Sequence, residues 1–482
     1  MTNEPTILGC LSATRRNAST NQPAKVAIVG GGLAGLAAGC ALADCGFHIT
    51  VLERRPYLGG RASSYQHPGT GEIVDNCQHV LLGCCTNLIE FYQRLGVQNK
   101  IRWYDQLTFL EPGGRASFLR PSFLPAPFHS TPAFLGAAFL GITDKLAIAF
   151  AMAALAQKMP RYTGRSFLSW LRDHHQTQRA IDRFWKTVLV SALNEDLDRV
   201  SIPYAAQVIR ESFLKSAEAG RMGVPTVPLT ELYSAAGEYI QARGGEVRLR
   251  ASVDSFEPSP DAVTLSVAGE KIVFDFVVPA APFDALLRIL PATPDAESLR
   301  QSLAKFETSP ITGIHLWFDR PITDLDHAVL LDRTVQWMFH KSKLLGKSAD
   351  NAGSYIELVV SASKDLVDKS RAEIVDLAMR ELREFFPQAR DANLVKSTVI
   401  KEVHATYSPQ PGADEYRPKP KTVWPRVFLA GDWTATGWPA TMEGAVRSGY
   451  AAADELTGAV GLQQSRFLVD DLPPTGLMKL FE

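Results

Sequence analysis

Cysteine is scarce in this 482-residue chain. Cys10, Cys40, Cys45, Cys77, Cys84 and Cys85 are the whole set, and none stands in a CxxC pair. So few thiols make no disulfide framework and no zinc pattern, and they fit a reducing cytosol. We therefore expect no metal site, and adjacent Cys84 and Cys85 read as packing rather than a redox pair. An excess of charge is missing too. Lys and Arg number 50 against 51 Asp and Glu, a formal −1. Sequence-independent nucleic-acid binding needs a basic surplus, so we expect no nucleic-acid partner. Long apolar runs are also lacking. Residues 1–23 are polar and mixed, with no signal-peptide core, and read as a flexible leader. The most apolar stretch, residues 134–155, is interrupted by Thr143-Asp144-Lys145. A spanning helix needs ~20 predominantly apolar residues. Two shorter helices fit better, packed in the core or lying in a membrane interface where they admit an apolar substrate. There is no HExxH, no hydrolase nucleophile elbow, no internal repeat and no low-complexity tract.

What is present is ordinary for a globular protein: 46% apolar and 21% charged residues. At ~150 residues per domain, two or three domains are expected. The first strong signal is Lys25–Val29, a β-branched run suited to a buried parallel strand. It leads into Gly30-Gly31-Gly32-Leu33-Ala34-Gly35, then an Ala- and Leu-rich helix, then a second strand ending at Glu53. In a strand–loop–helix setting, Gly30 permits the tight turn and Gly32 admits a pyrophosphate. Gly35 lets helix and strand pack closely. The helix N-terminus faces the phosphates. Glu53 can accept from both ribose hydroxyls, which disfavours a 2′-phosphate and leaves FAD or NAD.

Two further segments choose FAD. After the second strand come Gly59, Gly60 and Arg61; the glycines allow a turn beside the pyrophosphate, and Arg61 can pair with a phosphate or reach the flavin edge. Far downstream, residues 427–430 read as a strand leading to Gly431-Asp432-Trp433. Asp432 is placed to hold a ribityl hydroxyl or a phosphate-bound water. The stretch from Pro439 through Met442 and Glu443 opens a last helix, whose positive end can face the flavin pyrimidine. Glu443 either binds cofactor or caps that helix.

These motifs resemble the FAD-dependent amine oxidase and phytoene desaturase superfamily, and within it the squalene-associated hydroxysqualene dehydroxylases. The narrower matches are residues 75–84 (DNCQHVLLGC), Leu193-Asn194-Glu195, 204–208, 222–225, 228–233, and the run from Gly431 to Ala445. They span roughly residues 25–456. Cys77 departs from the pattern, where a Gly is expected. The resemblance implies an α/β fold, with a Rossmann-like FAD-binding domain interleaved with a mixed α+β substrate domain. We assign 24–100, 221–290 and 425–460 to the first, 101–220 and 291–424 to the second, and 461–482 to a tail. Val253 then becomes a backbone contact to the adenine. The Pro- and Lys-rich residues 417–421 read as a surface loop.

The resemblance also implies a reaction: loss of an allylic hydroxyl from a C30 isoprenoid, hydroxysqualene, with hydride supplied by reduced FAD. The alternatives are a carotenoid-type desaturase, which runs the hydride the other way, and a non-catalytic prenyl-lipid escort. The reaction needs a proton donor and a dry apolar pocket. His79 and Glu195 are the two candidate donors. Phe118, Phe123, Phe128, Phe134 and Phe139 form such a pocket or belong to ordinary core. A cytosolic protein in peripheral contact with membrane, aided by an amphipathic tail near Leu477 and Phe481, suits so apolar a substrate. The sequence leaves the electron donor and the oligomeric state open.

Overall fold

The computed structural model describes residues 23–157, 164–346, 353–462 and 466–481. The expected leader lies outside them, Pro23 excepted. Strand β1 (Lys25–Val29) runs through a sharp glycine turn into helix α1 (Leu33–Asp44) and returns as β2 (His48–Glu53). With β3 (Glu246–Leu249) and β4 (Phe276–Pro279) they form a parallel sheet in the order β3-β2-β1-β4, and Val427 adds a parallel bridge to Val277 beyond it. Both faces of this sheet are covered, which is why β1 after Lys25 can be continuously apolar instead of alternating. On one face α1 packs against α2 (Leu229–Gln241) and the last helix, α3 (Met442–Ala459). Small residues let α1 and α3 nearly touch: a Cβ on Gly449 would sit 2.2 Å from the Ala34 carbonyl oxygen.

Residues 253–274 form an antiparallel three-stranded meander beside this unit. A seven-stranded sheet makes the second layer, in the order Leu394–Tyr407, Thr308–Phe318, Ser354–Ser361, Trp337–His340, His327–Leu330, Leu107–Leu110, Ala116–Leu119. All its pairings are antiparallel except that of His327–Leu330 with Leu107–Leu110. A helical layer with its own core closes the molecule; it includes Ile142–Leu155, Phe167–Asp173, Lys186–Leu193 and Ile202–Ile209. Two π turns, Ile181–Trp185 and Arg210–Leu214, interrupt this layer. The mixed α/β architecture expected from the sequence is therefore present.

Residues 131–155 form two helices, Thr131–Gly136 and Ile142–Leu155. Core packing accounts for one face of the longer helix only. Ile148, Ala151 and Leu155 are buried, whereas Ile142, Leu146 and Phe150 face outward. Among the described residues, no helix is long and apolar enough to cross a membrane. The aromatic series divides as well. Phe139 is buried and stacks on Phe109 at 5.1 Å, while Phe123 is 97% exposed, so the five rings do not line one pocket.

One expectation is corrected outright. The segment 417–421 is not simply a surface loop, because Arg417 turns inward and is buried. Its guanidinium donates to the Asp432 carbonyl at 3.1 Å, to the Thr434 carbonyl, to Thr436 Oγ1 at 3.1 Å and to the Tyr204 hydroxyl. Composition marked the loop as polar, but one long side chain can leave a polar loop and be satisfied inside.

Candidate functional site

The site grows from the β1–α1 turn. Gly30 has φ +114°, a conformation that side chains resist, and a Cβ there would lie 3.0 Å from the Ala280 carbonyl oxygen. Gly35 packs so tightly that its Cβ would fall 2.1 Å from the Gly30 carbonyl oxygen. Gly32 differs. A Cβ there would meet nothing nearer than Gly60 Cα, at 3.9 Å. No packing demands a glycine at 32, and its absent side chain leaves room for a ligand over the turn. As N-cap of α1, Gly32 also brings no side-chain acceptor to the first-turn N–H groups, leaving them for an anion. Glu53 closes the turn from the end of β2. Its Oε2 accepts from the Gly31 N–H and its Oε1 from the Arg55 N–H, both at 2.7 Å.

These residues line a cleft of about 450 Å³ that also includes Gly60, Arg61, Val253, Gly431, Asp432 and Met442. Gly35 stands behind its wall. Arg61 is held across the cleft: Nη2 lies 2.7 Å from Asp432 Oδ1, and Nη1 donates to the Ala405 carbonyl at 2.7 Å. Met442 begins α3, and Thr441 caps that helix by accepting from the Gly444 N–H at 3.0 Å. Glu443 does not face the cleft. Its buried carboxylate accepts from the N–H groups of Asn87 and Leu88 and from Arg447, so it caps the helix Thr86–Arg94 instead. An open glycine cradle, uncapped helix N–H groups and a carboxylate at the end of β2 suit a dinucleotide.

A second cavity of about 710 Å³ adjoins the cleft, and its wall is overwhelmingly apolar. Val80, Ser191, Ala192, Trp337, Thr441 and Met442 line both spaces, so the two lie side by side at the start of α3. Trp337 is fixed there by donating Nε1–H to Ser191 Oγ at 2.8 Å. The outer lining includes Phe128, Leu135, Leu146, Leu477 and Phe481, all substantially exposed.

The two expected proton donors are placed differently from their roles. Glu195 is fully buried and lines neither space. Its carboxylate is engaged by the Lys364 ammonium, the Ser408 hydroxyl and the Asp196 N–H, so it anchors structure rather than meeting substrate. His79 does line the cleft, yet its Nδ1 is 2.7 Å from the Cys77 carbonyl and must carry its proton there. Burial lowers its pKa, against the opposing pull of that carbonyl and of Asp75. A neutral imidazole held this way offers Nε2 as an acceptor, not as an acid.

A buried polar knot beneath the cleft carries no motif that marks it in the sequence. Lys341 donates to Asp75 Oδ2 at 2.6 Å and to Gln78 Oε1 at 2.7 Å, with Glu357 Oε2 at 3.5 Å. Burial pushes Glu357 up to about 8 despite the lysine. Burial also acts to raise Asp75, but Lys341 and the hydroxyl of Ser64 outweigh it and hold that carboxyl low. The knot therefore carries one anion, one cation and one neutral acid at pH 7. It fixes the Asn76–Val80 loop that lines the cleft. Lys341 and Glu357 stand far from any recognisable motif, and only their burial marks them.

A parallel sheet carrying a dinucleotide cradle, joined to an apolar chamber, defines a flavin-dependent oxidoreductase. The comparisons agree. The pattern of the family described as flavin containing amine oxidoreductase matches residues 33–457, and the chain belongs to that family. It takes FAD as its cofactor. It is 30% identical over 468 residues to a 15-cis-phytoene desaturase of Synechococcus elongatus, covering 90% of this chain and 95% of that one. A probable zeta-carotene desaturase of the same organism is 27% identical over 477 residues, covering 90% and 99%. Among solved structures, an oxidoreductase from Methanosarcina mazei superposes with a TM-score of 0.69 at 16% identity, covering 88% of this chain and 98% of that one. Cyclohexylamine oxidase from Brevibacterium oxydans gives 0.65 at 19% identity, covering 91% and 99%.

Proposed function

We propose that this flavoenzyme acts on an apolar polyisoprenoid, and that its reaction is the reductive removal of the allylic hydroxyl of hydroxysqualene to give squalene, a hopanoid precursor. The observation that carries the reading is the apolar chamber of about 710 Å³ that shares Val80, Thr441 and Met442 with the flavin cleft as a common wall. Reduced FAD supplies a hydride. The chain does the rest. The glycine turn, Arg61 and Asp432 hold the cofactor, with Val253 at its adenine end. The chamber walls keep water from an allylic cation that it would trap. The segments 24–100, 221–290 and 425–460 serve FAD, and 101–220 and 291–424 serve the substrate. The protein works in the cytosol against a membrane surface, with the exposed apolar residues around the chamber facing lipid.

A second reading rests on the relatives. Two proteins similar along nearly the whole chain are named carotenoid desaturases, and the same cleft serves hydride transfer from substrate to FAD. The escort reading is disfavoured by the complete cradle and by the family itself. Anaerobic incubation with hydroxysqualene separates the directions. Photoreduced enzyme should be reoxidised as squalene accumulates. If it stays reduced, while oxidised enzyme bleaches on adding phytoene, the desaturase reading replaces this one.

A further inference from the structure

Two opposite charges, Asp75 and Lys341, lie buried beside the flavin cleft without lining it. Their neighbours do line it. Asp75 leads into the Asn76–Val80 loop, every residue of which lines the cleft, and Lys341 donates to Gln78 Oε1 at 2.7 Å. Phe339, two residues before Lys341, lines the cleft as well and stacks on Trp337 with ring centres 5.6 Å apart. Trp337 and Val80 belong to the wall that the cleft shares with the apolar chamber. A hydride passes between flavin ring and substrate only where the two meet, so the ring belongs at this shared wall. The ion pair therefore stands beside the ring's end of the cleft.

Holding a loop in place does not call for charge. A buried ion pair is often no more stable than apolar residues of the same volume. What it does, and an apolar pair cannot, is set the local potential where little water screens it. It also fixes an amide. An ammonium only donates, so Gln78 must turn its Oε1 towards Lys341. Nε2 then faces the other way. One of its N–H groups goes to the His79 carbonyl at 3.0 Å, and the second is left for the cleft that Gln78 lines. Asp75 Oδ2 takes another Lys341 N–H at 2.6 Å, and Glu357 Oε2 stands 3.5 Å from the ammonium. Glu357 pairs with Phe339 across the strands, so it too lies beneath the lining.

We infer that Lys341 is a positioning residue that sets the reduction potential of the flavin, by balancing the Asp75 carboxylate and by holding the Gln78 amide with an N–H towards the ring. Hydride uptake turns a neutral flavin ring into an anion. A lone buried carboxylate beside the ring opposes that change, and the Lys341 ammonium cancels it. The Gln78 N–H favours it further, because a donor gains strength as its acceptor gains charge. The inference concerns the bound flavin alone. It holds whichever way the hydride runs and whichever apolar substrate fills the chamber.

The test reads the midpoint potential of the FAD-loaded enzyme against a reference dye, without substrate. Lys341→Met leaves the Asp75 carboxylate unbalanced. The potential should fall by about 30 mV, which for a two-electron couple is a tenfold loss in the preference for reduced flavin. Lys341→Met/Asp75→Asn removes both charges and should recover most of that fall. A merely structural role predicts the reverse, since the double variant disturbs the packing twice. If Lys341→Met does not fold, the sign is read from the other side. Asp75→Asn in a Glu357→Gln background leaves the ammonium as the only charge of the three and should raise the potential by a similar amount. A Lys341→Met preference within about threefold of wild type overturns the inference, because oxidised and reduced flavin are then held equally and the knot only supports the loop. A double variant lower in potential than Lys341→Met overturns it too, as does an unchanged or lowered potential in the reciprocal variant.

Discussion

Arg61 Nη2 and Asp432 Oδ1 lie 2.7 Å apart, joining the loop after β2 to the turn before α3 across the flavin cleft. Burial lowers the arginine pKa and Asp432 more than restores it, so the guanidinium stays charged. Two positions read separately from the sequence as cofactor contacts are thus one paired unit. Each keeps atoms free for a ligand, and each orients the other.

Asp432→Asn keeps the shape and removes the charge, leaving Arg61 half-satisfied. FAD should bind at least tenfold more weakly, since truncating one partner of a buried charge pair costs ~2–5 kcal/mol. Titration of the deflavinated protein with FAD measures this. An unaltered Kd would exclude the pair from cofactor binding.

The glycine turn makes a sharper forecast, because its members fail for different reasons. Gly32→Val has room in the protein itself, so the variant should fold with near-native melting behaviour and carry no flavin. Gly35→Ala sets a methyl 2.1 Å from a backbone oxygen and should impair folding before flavin binding is at issue. Circular dichroism and the 450 nm absorbance of purified protein separate the two. A Gly32→Val protein that is yellow in full measure would place the pyrophosphate elsewhere.

What could be read in advance follows from how local each signal is. The cradle from Lys25 to Glu53 is legible because strand, turn and helix are consecutive, and Gly30 and Gly35 answer local steric demands while Gly32 leaves the turn open. The Asp432 segment was legible as a motif, though not its pairing with Arg61. Glu195, Lys341 and Glu357 were misread or missed because their meaning lies in partners far along the chain. Glu195 reads in the sequence as a possible acid, but it is locked by Lys364 and Ser408. Arg417 was hidden in a loop whose composition says surface. His79 lines the cleft, but its tautomer depends on a carbonyl two residues away, which no spacing reveals.

Arg417→Met tests that hidden anchor. The substitution leaves the Asp432 and Thr434 carbonyls without their donor. Hydrogen bonds to a charged group are worth ~1.5–3 kcal/mol each, and partial solvation of the gap should leave a net loss of about 3 kcal/mol. A lower melting temperature with weaker FAD retention is expected. Unchanged stability would mean that Lys419 or Lys421 replaces the guanidinium.

Exposed apolar residues on segments that line the chamber predict reversible lipid binding. Phe123, Phe150 and Leu480, close in sequence to the lining residues Pro121, Ala149 and Phe481, are 97%, 75% and 79% exposed. Cosedimentation with liposomes should occur for wild type, reverse on alkaline carbonate washing, and fall several-fold in the triple serine variant. Retention after carbonate would contradict a peripheral attachment.

The knot under the cleft gives a pH signature. Glu357 stays protonated in the folded protein up to about pH 8, whereas an unfolded glutamic acid releases its proton near 4.5. Between those values the folded state binds more protons than the unfolded state, so this residue lowers stability as pH rises and its effect levels off above 8. The slope cannot exceed ~1.4 kcal/mol per pH unit for one proton. Asp75 does not mask the effect, because its depressed pKa adds stability that is lost only as pH falls through the acid range below 3.8. Glu357→Gln copies the neutral acid and cannot ionise. Its stability relative to wild type should therefore increase steadily from pH 5 to pH 8 in urea titrations. The gain must come from the carboxyl itself, since Lys341 keeps Asp75 and Gln78 as partners in both proteins. A difference that stays flat across this range would show that Glu357 is already ionised at pH 5, with the Lys341 ammonium shared between two anions instead of one.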